Sequence, residues 1–301
     1  MKTSLQPAIP TTSIGTIATD VLTHDRNGVV LAVFRRSFYV KFGEDLVCVG
    51  PAELESGPLN LLYARGGEFP WSDRLSAGAE ASCRSSLLTI GSLCSFDCSS
   101  AEPWQPVRPG RIDPAAVRRG LSALAGELQS HSPGGIGPLI APILTNAAEA
   151  PDDALGIYPA IRELRTMLFT FDRHGDRLSA IVSQLVGLGP GLTPSGDDML
   201  GGLMAGLNFF GHADAAAQLA AVVLPAAATG TSIISNAHLR AASGGRLTAP
   251  LWDAVSSIGA GGDGLAGALQ RVAKIGHSSG WDTLAGAALA ADAVSAGIAA
   301  K

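Results

Sequence analysis

The sequence predicts an α+β protein, with a β-rich N-terminal domain over residues 1–110, barrel- or sandwich-like, and a mainly helical domain over residues 111–301. Two observations carry this. Through the first hundred residues, β-branched and aromatic residues come in short runs bounded by turn residues. From Asp113 onward the apolar period lengthens to that of helices, and helix-start signals recur. A chain of 301 residues is long enough for one large or two ordinary domains.

The strands come first. Val29–Phe34 and Ser37–Phe42 are short β-rich segments, and Leu46–Val49 follows Gly43-Glu44-Asp45, a turn that predicts a hairpin. Asn60–Ala64 and Leu87–Ile90 are further strands. Arg65–Ser82 and Ser99–Gly110 are rich in Gly, Pro, Ser and Trp and read as loops. Asp113-Pro114 then starts a helix that runs to about His131, and Ser132–Gly137 breaks it. Further helices are predicted near 139–148, 158–170, 174–186, 194–211, 213–228, 231–243, 250–258, 263–275 and 280–299. Gly202 with Gly206, and Gly201 with Ala205, place small residues four apart, which lets helix backbones approach closely.

Composition narrows the function classes. Net charge is −5, only 16% of residues are charged, and no basic cluster occurs, which argues against a nucleic-acid partner. The start, MKTSLQPAIPTTS, lacks the apolar core of a secretory signal. Asp282 and Asp292 interrupt the Ala-rich stretch near residue 290, so no membrane span is expected. Cys48, Cys83, Cys94 and Cys98 are too few for a disulfide scaffold. Together these features predict a soluble, cytoplasmic protein with reduced thiols.

The most informative stretch is Gly187–Gly202, GLGPGLTPSGDDMLGG, a glycine-rich loop running into a helix start. Gly187, Gly189 and Gly191 permit positive φ and close approach of a ligand to the main chain. Thr193 is suited to be the N-cap and Pro194 the first helical residue. Main-chain N–H groups at such a start favour an anion, which makes Leu192, Ser195 and Gly196 candidate binding positions with them. The pattern S-G-x-D-x-L-x-G occurs twice, at Ser195–Gly202 and at Ser279–Gly286, 84 positions later. Asp198 and Asp282 fall at equivalent places and read as helix caps. Asp197 and Trp281 occupy the position that differs, a better candidate for ligand chemistry.

Three more groups have the chemistry for a small anion. Ser232, Asn236 and Arg240 are spaced i, i+4 on one helix face of TSIISNAHLRAASGG, where the Arg can clamp a carboxylate or phosphate or simply reach solvent. His277 stands just before the second start, in IGHSSGWD, with Ser278, Ser279 and Gly280 after it. It is either an acid, base or oxyanion donor or a hydrogen-bonded loop residue. His238 reads as structural. No metal is expected; Asp197 and Asp198 point about 100° apart on a helix, so Mg²⁺ would need one Asp plus substrate oxygens. The loop lacks the Lys of a phosphate-binding P-loop, and neither Ser195 nor Ser279 stands on a nucleophile elbow.

The three blocks GLGPGLTPSGDDMLGG, TSIISNAHLRAASGG and IGHSSGWDTLAG resemble the signature blocks of the AllH-type family, which includes a subunit of oxamate carbamoyltransferase from anaerobic allantoin breakdown. The resemblance is strongest from about 185 to 290; VGPAELESGPLNLL extends it, in general character, into the N-terminal half. It implies carbamoyl transfer between oxalurate and phosphate, giving oxamate and carbamoyl phosphate, by a complex with other carbamoyltransferase subunits. The site roles come from the residues instead: His277, Asp197 and Arg240 as catalytic groups, and Trp281 with the loop and serine positions above as binding groups. The alternatives are a non-catalytic anion-binding or regulatory subunit, and an enzyme for another small carboxylic acid or acyl phosphate.

Overall fold

The computed structural model describes residues 7–64, 70–150, 152–168, 170 and 173–296. Expected features at 65–69, at 169 and beyond 296 lie outside the described residues. The chain divides into two compact units, residues 1–106 and 107–301.

In the first unit, eight strands close into a barrel. They are β1 (Ile9–Gly15), β2 (Arg26–Val33), β3 (Phe38–Phe42), β4 (Asp45–Pro51), β5 (Asn60–Tyr63), β6 (Glu80–Arg84), β7 (Leu87–Ile90) and β8 (Cys94–Asp97). The order around the ring is β5-β4-β3-β2-β6-β7-β8-β1, and β1 pairs antiparallel with β5 to close it. A short β9 (Glu102–Trp104) lies parallel to β1, and a helix α1 (Thr16–Leu22) follows β1. Alternation decides which way each strand faces. In β3, Phe38, Val40 and Phe42 are buried and the residues between are not. The interior gathers Phe38, Tyr63, Trp71 and Phe96, with Trp71 Nε1 donating to Tyr63 Oη at 2.9 Å. Burial pushes the Cys48 and Cys98 thiols up to about 12, so they stay protonated.

Sequence patterning misses β1, α1, β6, β8 and β9. Their residues, such as Glu80-Ala-Ser-Cys-Arg84 in β6, have weak strand propensity. Of these, β1, β6 and β8 are strands because a closed ring supplies a hydrogen-bonded neighbour on each side.

The second unit is helical: α2 (Pro114–Glu127), α3 (Ile140–Thr145), α4 (Tyr158–Met167), α5 (Gly175–Leu185), α6 (Ser195–Phe209), α7 (Ala213–Gly230), α8 (Ile233–Ser243), α9 (Ala249–Ala260), α10 (Leu265–Val272) and α11 (Ser279–Ser295). Asp113 caps α2, its carboxylate accepting from the N–H groups of Ala115 and Ala116. At the centre lies α11, buried at every residue from Gly280 to Ser295 and packed against α6, α2, α9 and α3. It is buried all round because about half of its residues are Ala or Gly, spread over all its faces, so neighbours approach from every side. Among the described residues one helix, α7, has the length and mean hydropathy of a membrane span (18 residues, 1.2). It packs against α5, α6 and α8.

Candidate functional site

The two S-G-x-D helix starts lie side by side. The α6 and α11 helices run parallel, since Met199 faces Gly286, Gly202 faces Thr283, and Gly206 faces Ala287 and Ala290. The contact repeats itself about the pair. A Cβ on Gly202 would sit 1.8 Å from the Thr283 carbonyl oxygen, and one on Gly286 would sit 1.9 Å from that of Met199. These four positions are equivalent in the repeat. Gly196 and Gly280 correspond in the same way, backing onto the Leu185 carbonyl of α5 and the Val272 carbonyl of α10. The unit that repeats is therefore larger than eight residues: a helix, a glycine turn and a second helix, as α5–α6 and as α10–α11.

Parallel neighbours put both positive helix ends at one place. Three carboxyl groups gather there. Asp197 is 1% exposed, and both its oxygens are used: Oδ1 accepts from Gly187 N at 2.8 Å, Oδ2 from the hydroxyls of Ser235 (2.6 Å) and Thr231. It ties the glycine loop to the junction of α7 and α8. Asp282, fully buried, accepts from Ile136 N and from Ser278 Oγ at 2.8 Å, and Ser195 of α6 also hydrogen-bonds it. Asp198 is hydrogen-bonded by Ser279 of α11, so the two starts exchange serine-to-aspartate bonds crosswise. Its Oδ2 is buried and has no hydrogen-bond partner among the described residues, although the residue as a whole is only half-buried. Burial, then the Asp282 and Asp197 charges, hold the Asp198 carboxyl well above the usual carboxylate range. Burial also raises Asp282, against its hydrogen bonds.

Several sequence expectations change in detail. Pro194, not Thr193, is the N-cap of α6, and its ring leaves no side-chain cap. Thr193 points instead to α11, its Oγ1 2.9 Å from Ser279 Oγ. Neither Asp198 nor Asp282 caps its helix; both reach into the neighbouring chain segments. Asp197 has its oxygens filled by three donors from this chain, so it braces the loop.

Gly189 and Gly191 do take positive φ, +114° and +92°. Leu192 is exposed, and its carbonyl oxygen accepts from Ser232 Oγ, which also caps α8. Trp281 is buried edge-on to His131. Asn236 is half-buried in α8. Arg240 is exposed in the last turn of α8, about 12 Å along the axis from Ser232 at 1.5 Å per residue. His277 is exposed at the turn before α11. Burial takes His238 down to about 4, so its ring is neutral.

The residues not chosen from sequence are Thr231, Ser235 and the Gly135–Ile136 turn. Gly135 has φ +59°, and a Cβ there would meet the Asp282 carboxylate at 2.2 Å. The run Pro133-Gly-Gly-Ile136 signalled this; it reads as a helix break until Asp282 is seen against it.

No curated protein and no solved structure matches the chain. Residues 185–291, which run from the last residue of α5 through both helix starts and most of α11, match the model of the family described as oxamate carbamoyltransferase subunit AllH.

Proposed function

We propose that this chain is a subunit of a carbamoyltransferase whose substrates are small anions, with oxalurate and phosphate giving oxamate and carbamoyl phosphate. The observation that carries the reading is the side-by-side placement of two helix starts inside the family-matched segment, joined by the Thr193–Ser279 contact. A phosphate oxygen would attack the carbamoyl carbon, the bond from that carbon to the oxamate nitrogen would break, and the nitrogen would take a proton. Charge gathers on the carbonyl oxygen on the way. Main-chain N–H groups of the 189–195 loop and of Ser279 suit that charge, while those of Gly196 and Gly280 already donate to the Leu188 and Ile275 carbonyls. In this reading Arg240 holds a carboxylate or phosphate, His277 stabilises or protonates the developing oxyanion, and Asn236, Ser278 and Trp281 line the substrate. Asp197 positions the loop. Binding of small anions by groups already held in place is what the chemistry needs. Partner carbamoyltransferase subunits and a cytoplasmic setting belong to the same proposal.

The test is phosphorolysis of oxalurate by the reconstituted complex, followed as carbamoyl phosphate. Arg240→Ala should raise the apparent KM and His277→Ala should lower kcat, each by roughly a hundredfold. Unchanged kinetics in both would remove them from the mechanism. A second reading is a non-catalytic anion-binding subunit. It is favoured by the exposure of Arg240 and His277, where water competes for the contacts they would make. Binding of carbamoyl phosphate without turnover in any complex would establish it.

A further inference from the structure

Resting on the reading of these helix starts as a carbamoyl-group site, the geometry points to Asp198 as the specificity residue for the ligand's NH₂. Its Oδ2 accepts an N–H from a primary amide or carbamoyl group bound at the starts of α6 and α11. Two independent observations carry this.

The first is the orphan oxygen itself. Asp198 Oδ2 is buried and meets no hydrogen-bond partner among the described residues, while Asp197 and Asp282 accept at both of their oxygens. A buried acceptor without a donor is unfavourable, so a ligand that brings a donor gains what the free protein forgoes.

The second is the repeat. Asp282 stands where Asp198 stands, 84 positions later. Each is hydrogen-bonded by the serine that opens the opposite helix. Asp282 then takes a main-chain N–H, from Ile136. Asp198 has no counterpart of Ile136 among the described residues. The group that completes it by the same pattern is a planar N–H donor, which an amide or carbamoyl NH₂ supplies. An N–H donor favours the ionised form of Asp198; in that form a carboxylate oxygen in the same place would face Oδ2 lone pair to lone pair, and a methyl group would leave it unsatisfied. Such a contact would let a site for small anions tell oxamate from oxalate and carbamoyl phosphate from acetyl phosphate.

The experiment is binding by the complete chain, measured by calorimetry for both matched pairs, in wild type, Asp198→Leu and Asp198→Asn. The expected result is a wild-type preference of at least about tenfold for the NH₂-bearing partner. Asp198→Leu, of similar shape and without oxygen, should abolish that preference and leave oxalate binding unweakened. Asp198→Asn, which can still turn an oxygen toward the ligand, should keep part of it. Equal wild-type affinities within each pair, or a preference untouched in Asp198→Leu, would overturn the assignment and leave the anion site standing. Binding of none of the four would remove the anion site and this inference together. Should the variants fail to fold, a structure of the wild-type chain with oxamate decides. The amide nitrogen within about 3.2 Å of Oδ2 supports the assignment. Water against Oδ2 with oxamate bound elsewhere overturns it.

Discussion

The α6 and α11 helix starts share a motif, a glycine seam and a crosswise serine bond, and differ in what surrounds their aspartates. Around α11, the 132–137 turn closes over the helix end and satisfies Asp282, while Trp281 packs into the same turn against His131 and Gly137. Around α6, the corresponding residue Asp197 holds the glycine loop and the start of α8 by three hydrogen bonds, and Asp198 keeps an oxygen without a donor. In the α11 copy both oxygens of the aspartate are satisfied from within the chain. The other holds its polar groups in place and leaves one buried oxygen unmatched.

The largest effect that bears on this comparison is on the seam the copies share. Gly202→Val and Gly286→Val should each destabilise the helical unit by about 3 kcal/mol or more, because the backbones touch there and neither can yield. Gly201→Ala is the control. Its Cβ would lie 3.5 Å from the Ala242 Cβ, ordinary contact, so stability should change by less than about 1 kcal/mol. Thermal unfolding of the three variants checks this; similar melting temperatures for all would show that the two copies are not in close register.

Next is the brace particular to α6. Asp197→Ala leaves Gly187 N–H and two hydroxyls without their acceptor, at a cost of about 2–3 kcal/mol. Hydrogen exchange should rise at residues 187–194 and around 231–235, with the turn at 132–137 unchanged. Uniform exchange over both copies would mean that Asp197 supports the whole pair equally.

A third effect is electrostatic. Burial raises Asp198 above its unfolded value, so the native state holds a proton that the unfolded chain loses from about pH 4 upward. The stability it lends is present below that point and lost as pH climbs through the raised value, by up to about 1.4 kcal/mol per pH unit. Asp198→Asn removes this slope, so its melting temperature should fall less than wild type's between acid and mildly alkaline pH. Parallel curves would place Asp198 in an ordinary solvated setting.

Helices were legible in the sequence where caps and breakers stand outside apolar periods. Asp113-Pro114 marked α2, and every helix expected beyond it is present, although α3 stops early at Asn146, in the left-handed conformation. The barrel was legible only where β-branched or aromatic residues alternate, as in Phe38-Tyr-Val-Lys-Phe42. At the site, the repeat and the positive-φ glycines were readable. What was not readable is partnership across long separations. Asp282 to Ile136 spans 146 positions, and nothing local in either segment tells of the other. For the same reason nothing in the sequence shows that Asp197 accepts from Gly187, Thr231 and Ser235.

The burial of α11 has a consequence for how the protein is made. The α2, α3, α6 and α9 helices it packs against all precede it in the chain. As the polypeptide leaves the ribosome, these helices emerge with the faces that will surround α11 still bare, including the Met199–Gly206 side of α6. The helical unit completes only when residues 279–295 arrive and thread themselves among helices already formed. Such a unit acquires its stability late and all at once. Its nascent form, apolar and open along one groove, is the stage at which a holding chaperone or a partner subunit would matter most.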